Sequence, residues 1–135
     1  MSNEEFRILI VEDNDIYREL FKDILRTAFP EIALDEATDG REALQKVNAF
    51  LPDLIFMDIN LRGANGIELT KKIKATYRNI PVVIFTFYDI PEYREAAFGS
   101  GADRFLVKSS LSTMEIEELV KSYHLKKKKI NVQLS

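Results

Sequence analysis

Apolar positions in this chain follow two alternating patterns. Short runs that are apolar almost throughout, Phe6 to Val11, Leu54 to Met57, Val82 to Phe85 and Phe105 to Val107, are separated by longer stretches with apolar residues every three or four positions. All four runs predict strands, Phe6 to Val11 a buried one, and the continuous Leu54 to Met57 and Val82 to Phe85 strands buried on both faces. Weaker alternation over Ile32, Leu34 and Glu36 to Ala37 predicts one further strand.

Between the runs, helical spacing dominates. Ile16, Leu20, Phe21, Ile24, Leu25 and Ala28 predict a helix with Asn14 or Asp15 as N-cap and Pro30 as its stop. Ala43, Leu44, Val47 and Phe50 predict a second, entered through Asp39-Gly40 and ended by Pro52; Ile67, Leu69 and Ile73 a third, opened by Gly66 after an Ile59 to Asn65 loop. A short fourth helix is expected over Tyr93 to Phe98, stopped by Gly99-Ser100-Gly101. Ser112-Thr113-Met114-Glu115 reads as a capping box for a fifth, with Ile116, Leu119, Val120 and Tyr123 on one face. After His124 the amphipathic order is lost, and residues 126–135 are expected to be a frayed basic tail or the start of a linker. About five strands alternating with about five helices through short connections predict a parallel α/β sheet covered on both sides.

Composition narrows the chemistry. A chain of 135 residues, 46% hydrophobic, fits one domain with a full core. With no cysteine and one histidine, His124, thiolate and histidine-rich metal sites are excluded. Glu4 and Glu5 precede the first apolar run, unlike the basic start of a signal peptide, and no stretch approaches a membrane span. A soluble cytoplasmic protein without membrane contact is expected. A net charge of −3 does not suggest general nucleic-acid binding, and Lys126 to Lys129 read first as a solvated run.

In a parallel sheet, ligands gather beyond the carboxyl ends of the strands. The strand ends here deliver Glu12 and Asp13, Asp58, Thr86, and Lys108. Taken singly, these residues have bland readings: helix-dipole acids, a loop aspartate, a β-former and a solvated lysine. Assembled, three carboxylates within a few ångströms repel strongly unless a cation joins them, and a hard ion such as Mg²⁺ suits an all-oxygen site. With Mg²⁺ and Lys108 beside it, Asp58 becomes a candidate nucleophile toward phosphorus, with Thr86 donating to a phosphoryl oxygen.

From Phe6 to Tyr123 the chain resembles the receiver domain of two-component response regulators. The resemblance is carried by Leu9-Ile10-Val11-Glu12-Asp13, Leu54-Ile55-Phe56-Met57-Asp58, Gly66, Ile84-Phe85-Thr86 and Phe105-Leu106-Val107-Lys108. It implies a flavodoxin-like, doubly wound five-stranded parallel sheet over residues 1–125. It implies that Asp58 accepts phosphate from a sensor histidine kinase or phosphotransfer protein. The domain would catalyse its own phosphotransfer and slow autodephosphorylation rather than act as a dedicated enzyme. Asp13 and Asp58 would bind Mg²⁺ with the backbone carbonyl of Asn60, Glu12 acting through a water. Lys108 and Thr86 would grip the phosphoryl group, and the Phe105 ring would swing inward, switching a surface for partner binding or homodimer formation.

Two departures from the family pattern stand out. Phe87 and Tyr88 follow the threonine where a small residue is usual, so Phe87 is expected to shield the phosphoryl group. Ser109 follows the lysine where proline in a cis peptide is usual, which leaves that bond's geometry open. Lys108-Ser109 with its Ser/Thr-rich continuation resembles the subgroup with helix-turn-helix outputs; DNA would be reached only through such an output, which is absent from this chain.

Competing functions fit less well. An aspartate-nucleophile phosphatase places a second acid where Asn60 stands. A flavin carrier needs a phosphate cradle where Glu12-Asp13-Asn14-Asp15 stands. The remaining alternative is a phosphorylation-independent receiver acting as a protein-interaction module.

Overall fold

The computed structural model describes residues 5–134; the first four residues, with Glu4, and Ser135 lie outside them. Strand β1 (Arg7–Val11) leads to helix α1 (Asp15–Ala28), β2 (Ala33–Ala37), α2 (Gly40–Phe50) and β3 (Leu54–Met57). A two-residue pair, β4 (Asn60–Leu61) and β5 (Ala64–Asn65), precedes α3 (Gly66–Thr76), β6 (Val82–Thr86), α4 (Pro91–Gly99), β7 (Arg104–Val107) and α5 (Thr113–Leu134). The parallel sheet has the order β2-β1-β3-β6-β7. The change of winding direction at β1 and β3 opens a crevice at their carboxyl ends.

Strand alternation divides the core in two. Ile8, Ile10, Leu54, Phe56, Val83 and Phe85 face α1 and α5, meeting Phe21, Leu25, Ile116 and Val120. Leu9, Val11, Ile55, Met57 and Ile84 face α2, α3 and α4, meeting Val47, Ile73 and Ala97. Both faces of β1, β3 and β6 are therefore dry, which is why their sequences are continuously apolar.

Capping side chains set most helix starts. Asn14 accepts from the amide of Tyr17 at 2.8 Å, Asp39 from that of Glu42 at 2.8 Å, and Asn65 from that of Ile67 at 2.8 Å. Ser112 and Glu115 form the reciprocal box expected at α5. Helix α4 begins two residues before the expected Tyr93, because Pro91 supplies a preset φ at its first turn.

Other expectations need correction. The α1 face is rotated: Ile16 is 83% and Leu20 55% exposed, and Tyr17, Phe21 and Leu25 turn to the sheet instead. The Ile59 to Asn65 loop contains the β4/β5 pair, turning at Gly63 with φ 66°. The basic stretch Lys126 to Lys129 is helical, α5 continuing to Leu134. Lys127 secures it by donating to the Glu5 carbonyl at 2.7 Å and to Asp53 at 2.9 Å. Among the described residues no peptide bond is cis, so Lys108-Ser109 is trans.

Candidate functional site

Sheet register brings the polar residues together. Val11 pairs with Met57, Met57 with Ile84 and Ile84 with Phe105. One step further along each strand stand Glu12, Asp58, Phe85 and Leu106; Asp13, Thr86 and Lys108 follow. The carboxylates of Glu12, Asp13 and Asp58 come within 4.8 Å of one another. Lys108 opens a short 3₁₀ turn, Lys108–Ser110, which aims it back across β6. Its Nζ contacts Glu12 Oε1 and lies 3.4 Å from Asp58 Oδ2.

The cluster is dry: Glu12 is 1%, Asp58 7% and Lys108 7% exposed. Burial pushes the Asp58 carboxyl up to about 7; Lys108 pulls against that shift and the Glu12 charge adds to it. Its Oδ1 accepts from the Ile59 amide at 2.8 Å, which fixes the carboxylate plane and leaves Oδ2 toward the lysine. Arg18, buried in α1, donates from Nη1 to the Glu12 carbonyl at 2.8 Å and from Nε to Glu36 at 2.7 Å, tying the β1 end to β2. Its neighbour Lys22 shares Glu36 at 2.8 Å.

Thr86 is fully buried, and its hydroxyl accepts from the Tyr88 amide at 3.2 Å. It stands on the same sheet face as Phe105, diagonal to it across β6 and β7. The Phe105 ring is already turned inward, 6% exposed, and Arg94 of α4 covers it at 4.7 Å. Asn60 is exposed at the start of β4, two residues from Asp58.

The donor set tests well for Mg²⁺. Three carboxylates converge with one lysine set to one side, and every side-chain ligand on offer is oxygen. Asp13, half-buried at the mouth, is the member with access to solvent.

Sequence reasoning placed Phe87 at the site but missed its other exposed-side ring, Tyr17. Tyr17 places its ring 4.3 Å from Lys108 Nζ. Its hydroxyl is pushed up to about 12 by burial, then by the charges of Glu12 and Asp58. The available signal was position: Tyr17 sits one turn after the acidic loop, on the face that also carries Phe21.

Comparison with known proteins adds independent observations. A family model described as "Response regulator receiver domain" matches residues 8–122. The chain is 35% identical over 115 residues to the chemotaxis protein CheY of Thermotoga maritima, covering 85% of this chain and 95% of that one. It is 31% identical over 125 residues to the nitrate/nitrite response regulator protein NarL of Escherichia coli (strain K12), covering 92% of this chain and 56% of NarL. This chain therefore spans about half the length of that relative. A CheY-like receiver domain structure from Methanospirillum hungatei superposes with a TM-score of 0.84 at 26% identity, over 93% of this chain and 98% of that one.

Proposed function

Starting from a chain that belongs to the response regulator receiver domain family, we propose that Asp58 is its phosphoacceptor, taking a phosphoryl group from a phosphohistidine on a sensor histidine kinase or phosphotransfer protein. The observation that carries the reading is the Asp58 carboxylate, held by the Ile59 amide, 3.4 Å from Lys108 and beside two further acids.

Asp58 Oδ2 attacks phosphorus in line with the leaving nitrogen; the P–N bond breaks, its electron pair stays on the imidazole, and an acyl phosphate forms. Lys108 offers the positive charge that follows the transferring oxygens, and Thr86 exchanges its bond to Tyr88 for one to a phosphoryl oxygen. Glu12, Asp13 and Asp58, with the Asn60 carbonyl, would hold Mg²⁺, which when bound neutralises charge shared by the acids and the phosphoryl group. Hydrolysis by water then returns Asp58 to a carboxylate, as slow autodephosphorylation.

The proposed domain, residues 1–125, ends inside α5, with 126–135 as a basic extension that continues the helix to Leu134. Movement of Thr86 would shift Phe105 and Arg94 and change the α4, β7 and α5 surface, a switch for partner binding or homodimer formation. DNA would be reached only through an output unit of the helix-turn-helix kind that the Lys108-Ser109 resemblance implies. No helix among the described residues is long and apolar enough to cross a membrane, and the proposed site of action, beside the kinase's phosphohistidine, is cytoplasmic.

Treatment with acetyl phosphate and Mg²⁺ should add one phosphoryl group, detected by intact-mass spectrometry and abolished in Asp58→Asn. Equal labelling of that variant would remove Asp58 from the role. The second reading, an interaction module that does not run on phosphorylation, is favoured by one observation: Phe87 stands over Lys108 at 5.1 Å. Absence of labelling from any donor would select it.

A further inference from the structure

Lys108 is enclosed by more than carboxylates. Its Nζ lies 4.3 Å from the ring centre of Tyr17, 4.8 Å from that of Phe85 and 5.1 Å from that of Phe87. Tyr17 and Phe87 meet edge to face, centroids 5.7 Å apart at 73°. Cation–π attraction is strongest where water is excluded, and the lysine side chain is only 2% exposed. The ammonium is thus held by Glu12, with Asp58 and three rings around it.

The three rings are not equivalent. Phe85 is fully buried in β6 and packs on Phe21 and Phe56, so it is a fixed wall. Phe87 lies past the end of β6 and is 57% exposed; Tyr17 is half-buried on the first turn of α1. These two approach the lysine from separate elements, and their mutual contact bridges α1 and the β6–α4 connection.

We propose that Tyr17 and Phe87 form a two-ring gate over Lys108, and that Tyr17 is a positioning residue controlling how readily the lysine leaves Glu12 for a phosphoryl group on Asp58. The proposal rests on the phosphoacceptor reading. For the Asp58 oxygen to bond to phosphorus while the leaving atom departs with its electron pair, positive charge must travel with the phosphoryl oxygens. Lys108 supplies it only after sliding from between the rings. Small donors and attacking water bring no remote contacts to open the gate, whereas a docked protein donor spends binding energy at a distance from the reacting atoms. The gate therefore favours protein phosphohistidine over free acyl phosphates and lengthens the life of the aspartyl phosphate.

The experiment uses the full chain as wild type, Tyr17→Ala, Phe87→Ala, the double variant, Tyr17→Phe, and Tyr17→Leu, which keeps apolar bulk against Phe21 where alanine fails to fold. Two readouts are taken: the NMR shift of the Lys108 ε-methylene, which ring currents move upfield, and the rates of acetyl phosphate labelling and acyl phosphate hydrolysis. The upfield shift should persist in Tyr17→Phe and shrink in the variants lacking a ring. Each single opening should speed both rates by about tenfold, with the double variant little faster than either, since two leaves of one gate are not additive. If wild type labels at Asp58 and the ring-less variants match its rates, or if their effects multiply, the gate is overturned while the phosphoacceptor reading stands. If the shifts behave as expected but no protein in the set labels, the phosphoacceptor reading falls and the gate on phosphotransfer falls with it.

Discussion

Gly66 packs against the backbone carbonyl of Asp58 so closely that a β-carbon at Gly66 would overlap that oxygen. Its amide also donates to the Ile59 carbonyl at 2.7 Å. The φ of this glycine is not the reason for it; the approach of the α3 start to the β3 end is. Gly66→Ala should cost about 2–4 kcal/mol in denaturant unfolding, since backbone on both sides must shift. It should also slow acetyl phosphate labelling, because the displaced backbone carries the acceptor carboxylate. A variant as stable and as fast as wild type would contradict the geometry.

Asp58 makes stability depend on pH in a specified direction. Its folded-state pKa, raised to about 7 mainly by burial, lies above the unfolded value near 4, so between those limits the folded chain holds a proton that the unfolded chain releases. The contribution is full below pH 4 and is lost as pH rises through 7. Asp58→Asn, which imitates the protonated form, should therefore gain on wild type as pH increases, by on the order of 2 kcal/mol at pH 8 in metal-free buffer. Melting curves at pH 5 and pH 8 measure the gain, and Mg²⁺ should narrow it by stabilising the wild-type fold. A gain that is constant with pH would place the burial cost elsewhere.

Asp13, the acid at the mouth, governs the metal more than the fold. Asp13→Asn removes a charged oxygen ligand and should weaken Mg²⁺ affinity by about tenfold or more while changing stability little without metal. Isothermal titration gives the affinity directly; equal values for both proteins would exclude Asp13 as a ligand.

Arg18 fastens Glu12 from behind. Burial pushes the Glu36 carboxyl up, but Lys22 and Arg18 outweigh it and leave the pKa below the usual carboxylate value. The stability this gives is present above that value and is lost as pH falls through the lowered pKa. Arg18→Met should cost about 1–3 kcal/mol at pH 7, with a smaller deficit in acid once Glu36 is protonated. A deficit unchanged by acidification would show that the Glu36 pair is not its source.

Much of the fold was legible because each central strand is dry on both faces: Leu54 to Met57 and Val82 to Phe85 announce themselves without alternation. The carboxyl-edge residues were legible because a polar residue ending such a run can only lie at the crevice. Helix phase was less accessible. Helix α1 carries apolar residues at 16, 17, 20, 21, 24 and 25, two adjacent stripes, and periodicity alone does not say which one the sheet takes. The short link from Val11 and the Asn14 cap decide for Tyr17 and Phe21, leaving Ile16 and Leu20 outside. The β4/β5 pair was invisible because two residues per strand hold no period. The lysine run was read as a tail because it lacks an apolar face, yet lysine is a good helix former and Lys127 has Asp53 to bond.

The pairing of Lys108 with Glu12 spans 96 residues of chain, and this bears on how the protein folds. The β1 and β3 ends, with Glu12, Asp13 and Asp58, can adjoin before β7 arrives, since β7 reaches them only across β6. A partly folded chain with β1 paired to β3 would hold three crowded acids without their lysine, and such long-range parallel pairing is already slow. Mild acid, added salt or a divalent cation should therefore accelerate the stage of stopped-flow refolding that joins the β1 and β3 ends, and leave the later docking of β7, which Lys108 favours, no faster. The charge crowding that prepares Asp58 for its chemistry would be the same force that delays the first pairing at the centre of the sheet.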